Sequence, residues 1–410
     1  MDTYILNFLV IGLLLVFVTL GSGWIALSPF SYALIYLVVG IFLGPYGIRL
    51  IELRPQAEIL ERLTEFAVLI SLFGCGLKMN RPLNPWAWNS TARLIGFLMP
   101  LCIFALAVLG HTLLDLPWGA AILLGAILSP TDPVLASEIQ LLHAEDRDEL
   151  RFGLTSEGGL NDALAFPFVY FGIYYIKDAQ WQNWFQQWVL VDVCWAIAAG
   201  IGMGILVAKL VTWISLRSQR IKPADALMED FVMIGIVAIA YSLTELVNGY
   251  GFLAVFIAGM TVQRLHTKPE IYNSQLEFAE RIEKLMEVGI ILLLGSSLRI
   301  EPMIRFAGEI LVVAVALIFI IRPVGAWIST LGSPLQATRR LLYGWLGIRG
   351  IGSLYYLSYA FGEGLSGEIG EKIAWIVYFT VVISIILHGI SATPLMTWYE
   401  KRLTRRKVSG

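Results

Sequence analysis

Apolar runs of about 20 residues, each long enough to cross a bilayer as a helix, recur along the whole chain. About thirteen can be placed, beginning near Tyr4, Phe30, Ile59, Thr91, Trp118, Glu149, Val189, Ala226, Gly251, Phe278, Ile304, Arg340 and Lys372. Inside lipid every backbone N–H and C=O must find a partner within the protein, which favours helices. Composition agrees: 57% of the 410 residues are hydrophobic and only 15% charged, well away from globular averages. The pattern predicts an all-α polytopic membrane protein of about 13 transmembrane helices, with no soluble domain between the spans. Gly251–Gln263 is the shortest of these segments.

Basic residues sort the loops into two sets. Lys78, Arg81, Arg93, Arg147, Arg151, Arg217, Arg220, Lys222, Arg264, Lys268, Arg339, Arg340 and the tail Lys401–Lys407 fall in one. Arg49, Arg54, Lys177, Arg299, Arg305 and Lys372 fall in the other. The richer set is expected on the cytoplasmic side of the cell membrane, with the N-terminus outside and the C-terminus inside. The start Met1-Asp2-Thr3-Tyr4 lacks the basic region of a cleaved signal and reads as the beginning of a retained span. An odd number of spans suits two six-span halves. The first covers about 30–176, preceded by a span at 4–27; a linker span follows at about 189–214. The second half covers about 226–398, before a short basic tail at 399–410.

Two interruptions stand out. Ser129-Pro130-Thr131-Asp132-Pro133 breaks the fifth span, and Gly344–Gly352 breaks the twelfth. Broken helices at corresponding places in two halves point to a transporter's central site. Freed carbonyls and the Thr131 hydroxyl can face a cation. Asp132 can bind an ion or accept from the orphan N–H groups of a following half-helix.

Carboxylates inside apolar spans are costly and mark ion or proton pathways. Glu157 and Asp162 occupy one such span. Burial penalises a bare carboxylate, so a proton or a small hard cation can each relieve Asp162, which makes it the leading cation- and proton-binding residue; half of a buried ion pair is the alternative. Gly158 and Gly159 lie one turn before it, on its face, leaving room for an ion, a water or a crossing helix. Glu157 and Asn161 share a different face, and Arg322 is the expected cation partner of Glu157, because an unpaired buried charge is very costly; direct ion coordination by Glu157 is the minority reading. Arg349 either neutralises a half-helix C-terminus or repels cations from a wrong path. Glu287 belongs to a cytoplasmic funnel or makes an ordinary interhelical hydrogen bond. His388 reads as a packing residue.

Several classes find no support. There is no nucleotide-binding loop and no hydrolytic or redox constellation, so transport is expected to be gradient-driven and cofactor-free. Cys75, Cys102 and Cys194 lie singly in apolar runs and read as small buried residues. The basic tail reads as a membrane-side anchor rather than a nucleic-acid contact. A cation channel and a non-transporting scaffold are the competing classes.

Taken in order, Thr131-Asp132-Pro133, Glu157-x-x-x-Asn161-Asp162, Gly251–Gly259, Arg322-Pro323 and Arg349-Gly350 resemble NhaP-type sodium/proton antiporters, relatives of the animal sodium/hydrogen exchangers. The resemblance covers essentially the whole chain. It implies thirteen helices in two inverted repeats with discontinuous crossing helices, and a homodimer. It implies Asp162 as the essential carboxylate, Asn161 orienting the site, Thr131 supplying an oxygen to the metal ion, Asp132 close by, and a Glu157–Arg322 pair. The Asn-Asp sequence is the pattern associated with electroneutral exchange. Two departures are visible: Gly158 stands where relatives often carry Ser, and no acid lies near Phe73–Gly76, with Glu65 about two turns away. Sodium is the default cation; lithium and potassium remain open.

Overall fold

The computed structural model describes residues 30–49, 57–136, 139–141, 143–221, 226–265 and 269–408, with isolated positions before them. Tyr4, Arg54, Lys222 and Lys268, named above, lie outside the described residues, as do the side chains of Arg220, Arg405, Arg406 and Lys407.

Among the described residues every regular element is helical. In order these are α1 (Tyr32–Leu43), α2 (Ala57–Lys78), α3 (Asn89–Leu113), α4 (Trp118–Leu128), α5 (Glu149–Leu164), α6 (Phe166–Lys177) and α7 (Phe185–Ser218). Then come α8 (Ala226–Leu246), α9 (Gly251–Leu265), α10 (Pro269–Ser297), the short α11 (Ile300–Arg305) and α12 (Ala307–Ser329). The last are α13 (Ala337–Trp345), α14 (Ile351–Gly362) and α15 (Gly367–Val408). Apart from Tyr4, which lies outside the described residues, expected span starts fall within about five residues of a helix start, except Phe278. That position lies inside α10, whose first half carries Glu277, Glu280, Arg281, Glu283 and Lys284 and so does not read as apolar.

Among the described residues, α3, α7, α12 and α15 are the helices both long and apolar enough to cross a membrane on length and composition. The reason is local. Helix α4 stops after 11 residues, α13 and α14 are two pieces, and α5 carries buried charge. Elements that build the polar site are thus among those that fail a simple apolar-length test.

Local chemistry explains several boundaries. Asp148 caps α5 by accepting from the N–H groups of Leu150 and Arg151, at 2.9 and 3.0 Å, which satisfies two orphan donors. Pro167 lacks an N–H and separates α6 from α5 at Ala165. In α12 a wide π turn, Ala316–Ile321, immediately precedes Arg322-Pro323. Such turns absorb a lost i→i−4 bond.

Helix α2 packs along α9 and against α14, α1 along α10, and α4 between α3 and α6. The two sets of loops gather at opposite ends. At one, Lys78 meets Glu280 at 2.9 Å, Arg81 meets Glu149 at 2.6 Å, and Arg264 donates to the Arg81 carbonyl at 2.9 Å. At the other, Lys177 meets Glu363 at 2.8 Å and Arg305 meets Glu368 at 3.0 Å.

Three expectations need correction. Cys194 is exposed, not buried; in a membrane protein the lipid-facing surface is as apolar as the core, so an apolar neighbourhood does not imply burial. Arg151, counted with the loops, sits in the first turn of α5, is buried, and pairs with Glu400. The half-helix expected after Asp132 starts only as the turn Pro133–Ala136.

Candidate functional site

The two broken segments cross and hold each other. Helix α4 ends at Leu128 and the chain loses regular structure until Pro133. The second break runs through 346–350, between α13 and α14. The Asp132 N–H donates to the Ile348 carbonyl at 2.8 Å. Its carboxylate accepts from Val134 N–H at 2.8 Å and Leu135 N–H at 3.3 Å through one oxygen, and from Ile351 N–H through the other. Asp132 therefore caps its own turn and the first residue of α14 together, where helix N-terminal dipoles favour an anion.

Arg349 completes the crossing from the opposite side. Its Nη1 donates to the carbonyls of Ser129 and Pro130, the latter at 2.8 Å, at the C-terminus of α4. A cation is favoured at such an end. The half-helix that Arg349 neutralises is thus α4, not its own α13. Ser384 of α15 accepts the Arg349 N–H at 2.9 Å, and Arg349 is fully buried.

Asn161 and Asp162 lie beside this crossing on the last turn of α5. Asn161 Nδ2 donates to Thr131 Oγ1 at 2.8 Å, which ties α5 to the first break. The Asp162 carboxylate is 1% exposed, and neither of its oxygens has a hydrogen-bond partner among the described residues. Tyr356 donates to the Asp162 carbonyl instead. Nearby, Asn161 Oδ1 and the hydroxyls of Ser129 and Ser353 are likewise buried without partners. A native protein rarely leaves buried polar groups unmet, so this is where a proton or cation has most to contribute.

The room expected beside Gly158 and Gly159 is filled by crossing elements. A Cβ on Gly158 would stand 3.3 Å from Pro133, and one on Gly159 would stand 2.5 Å from the Phe256 ring of α9. On the far side, a Cβ on Gly352 would lie 2.5 Å from Asp162 Oδ1. The first turn of α14 thus backs directly onto the carboxylate. We expect Gly352→Ala to cut exchange by about tenfold or more, as small misplacements at a site do, with near-normal thermal stability. Wild-type exchange rates in vesicles would show that this space is not used.

Glu157 points the other way. Arg322 Nη1 and Nη2 reach its two oxygens at 2.8 and 2.9 Å, and both side chains are 3% exposed or less. The pair joins α5 to α12. Gly347, in the second break, packs against the guanidinium.

The sequence profile described as "Sodium/hydrogen exchanger, transmembrane" matches residues 8–398. The chain belongs to the sodium/hydrogen exchanger family. It is 26% identical to the K(+)/H(+) antiporter NhaP of Alkalimonas amylolytica, over 98% of this chain and 68% of that one. It is also 26% identical to the K(+)/H(+) antiporter NhaP2 of Shewanella baltica (strain OS223), over 96% of this chain and 67% of that one. The exchanger thus spans about two thirds of the length of these relatives. The sodium proton antiporter MjNhaP1 from Methanocaldococcus jannaschii at pH 8 shares the fold, with TM-score 0.74, 19% identity, and 96% and 98% of the two chains covered. The protein is accordingly a membrane transporter of that family.

Two cavities of about 510 Å³ each open toward the two ends of this exchanger. One is lined by Glu65, Asp192, Tyr241, Glu245 and Tyr250 among others; the second by Lys78, Arg81, Asp146 and Phe152. Asp162 lines neither. Phe166, one turn beyond it, closes the floor of the acidic cavity, with ring centroids 5.2 Å from Tyr250, 5.3 Å from Phe252 and 5.2 Å from Tyr356. Glu65 belongs to this cavity wall, where it accepts from Tyr241.

Glu287 is buried and pairs with Lys284 at 2.7 Å. Glu283, which sequence reasoning passed over, is also buried, on the same helix. The signal was present: Glu280, Glu283 and Glu287 recur at helical spacing. His388 sits in the interior with its two ring nitrogens each 2.8 Å from a carbonyl oxygen, of Ser384 and of Trp345, as a packing residue does.

Proposed function

We propose that this chain exchanges sodium, the default cation, for H⁺ by competition of the two at Asp162, with alternating exposure of that carboxylate to the two cavities. The observation that carries the reading is a fully buried carboxylate with no partner among the described residues, set beside two interlocked broken helices. Either a proton or a hard monovalent cation removes the cost of that charge. Thr131, held by Asn161, and the Asn161 Oδ1, unpartnered among the described residues, are the further oxygens assigned to the ion. Asp132 is occupied by three backbone donors, which supports a scaffolding role over direct ligation. Arg349 balances the α4 terminus, and Glu157–Arg322 is structural. Glu287, buried and paired with Lys284, is assigned to the cytoplasmic funnel.

The wider architecture follows the same reading: thirteen spans in two inverted six-helix repeats, about 30–176 and 226–398, joined by α7 and assembled as a homodimer in the cell membrane. The end bearing Lys78, Arg81 and Arg264 faces the cytoplasm. One titrating carboxylate fits one proton per cation, hence electroneutral turnover.

Potassium is the second reading, supported by the K(+)/H(+) names of the relatives and by Gly158 standing without a hydroxyl. Reconstituted vesicles with a pH-gradient dye separate the two. Sodium and lithium should dissipate the gradient at lower concentration than potassium, and clamping the membrane potential should leave the rate unchanged. Preferential response to potassium would assign that cation instead. Voltage dependence would overturn one-for-one stoichiometry, and single-channel currents would replace the antiporter with a channel.

A further inference from the structure

Helix α7 carries a membrane-facing groove of about 490 Å³ that the exchange site does not use. Its walls are Leu206, Leu210 and Trp213 of α7 and Leu265 at the end of α9, with Lys209 and Thr212 among the lining residues. The leucines and Trp213 on α7 are exposed. Trp188, near the other end of α7, is bound to the Pro167 carbonyl at 2.7 Å. At 1.5 Å per residue Lys209 lies roughly 30 Å from Trp188, about the thickness of the hydrocarbon layer. Lys209 and Trp213 therefore stand at headgroup level, at the end that also bears Arg264.

Two polar groups at this groove lack partners among the described residues. The Lys209 side chain is exposed, with no ion pair or hydrogen bond. The Thr212 hydroxyl is buried at 2% exposure and also unpartnered. One turn farther on, the Arg217 guanidinium lies 5.7 Å from the Trp213 ring centroid. An apolar trough accepts any acyl chain, but an exposed ammonium beside it asks for acceptor oxygens with net negative charge, which a phosphodiester supplies. The cationic headgroup of a zwitterionic lipid would be repelled by Lys209 and Arg217, so a net anionic lipid is favoured at such a surface.

We propose that the groove between α7 and α9 holds one anionic glycerophospholipid, with an acyl chain against Leu206 and Leu210 and its phosphate on Lys209. Native mass spectrometry of the purified full chain, titrated with phosphatidylglycerol and with phosphatidylcholine of the same acyl chains, tests it. The wild type should retain one phosphatidylglycerol in preference to phosphatidylcholine. Lys209→Gln should weaken that retention about fivefold, the worth of one basic residue at an anionic surface, and Lys209→Arg should preserve it. Equal retention of both lipids by the wild type, or unchanged phosphatidylglycerol binding in K209Q, overturns the site. Glycerol 1-phosphate binding as tightly as the lipid would make it a free-phosphate site and also overturn it. So would dissociation of an oligomer in K209Q with lipid binding intact, because the face would then be a contact between copies. Unaltered thermal unfolding of K209R shows that the fold is kept.

Discussion

Asp162→Asn is expected to reduce cation-driven proton movement in reconstituted vesicles to the level of empty vesicles, with insertion and thermal unfolding preserved. The change keeps the side chain's shape and removes the only feature that a proton and a cation can both neutralise. It breaks no hydrogen bond of the carboxylate, since neither oxygen has a partner among the described residues, so little structural cost accompanies it. Titration calorimetry supplies an independent readout. In the wild type, cation affinity should weaken on acidification because the same oxygens take the proton. Exchange at the wild-type rate in the variant would remove Asp162 from the transport step. Loss of exchange together with loss of folding would show that the residue is structural.

Breaking the Glu157–Arg322 pair from one side should have the largest effect on stability. Glu157→Gln leaves a guanidinium buried with no counter-charge, and Arg322→Met leaves a buried carboxylate in the same position. Either is expected to cost about 3–5 kcal/mol, because the uncompensated ion rather than the lost attraction dominates. Carrying both changes in one chain should recover most of the loss, since two neutral side chains need no compensation. Melting temperature of the purified protein, with yield of folded material, is the measurement. Unchanged melting in both single variants would mean that the pair contributes no stability. A charge swap is a poorer test, because Gly347 packs directly on the Arg322 guanidinium and leaves no tolerance for a reversed geometry.

Much of this molecule was legible before any coordinates. Proline and glycine act on their own backbone and on the neighbouring turn, so the breaks at Ser129–Pro133 and Gly344–Gly352 could be read directly. The need of a buried charge for a partner pointed from Glu157 to Arg322. Other features were not legible. Asp132 was read as a cap or an ion ligand, but the donor it shares across the crossing, Ile351, lies more than two hundred positions away, and no local rule reaches that far. Arg349 was assigned to a helix C-terminus, but which terminus depended on how the two breaks overlap. Cys194 was misplaced because lipid is as apolar as a protein core.

Periodicity, chain length and the scarcity of charge were enough to settle an all-helical membrane protein and the few carboxylates worth watching, because the bilayer imposes the same cost on every segment independently. The closed floor at Phe166, the unpartnered state of the Asp162 oxygens and the identity of each helix end that is neutralised depend on which segments meet. Those meetings come from packing between helices distant in the chain, and the energy of one contact there depends on all the others.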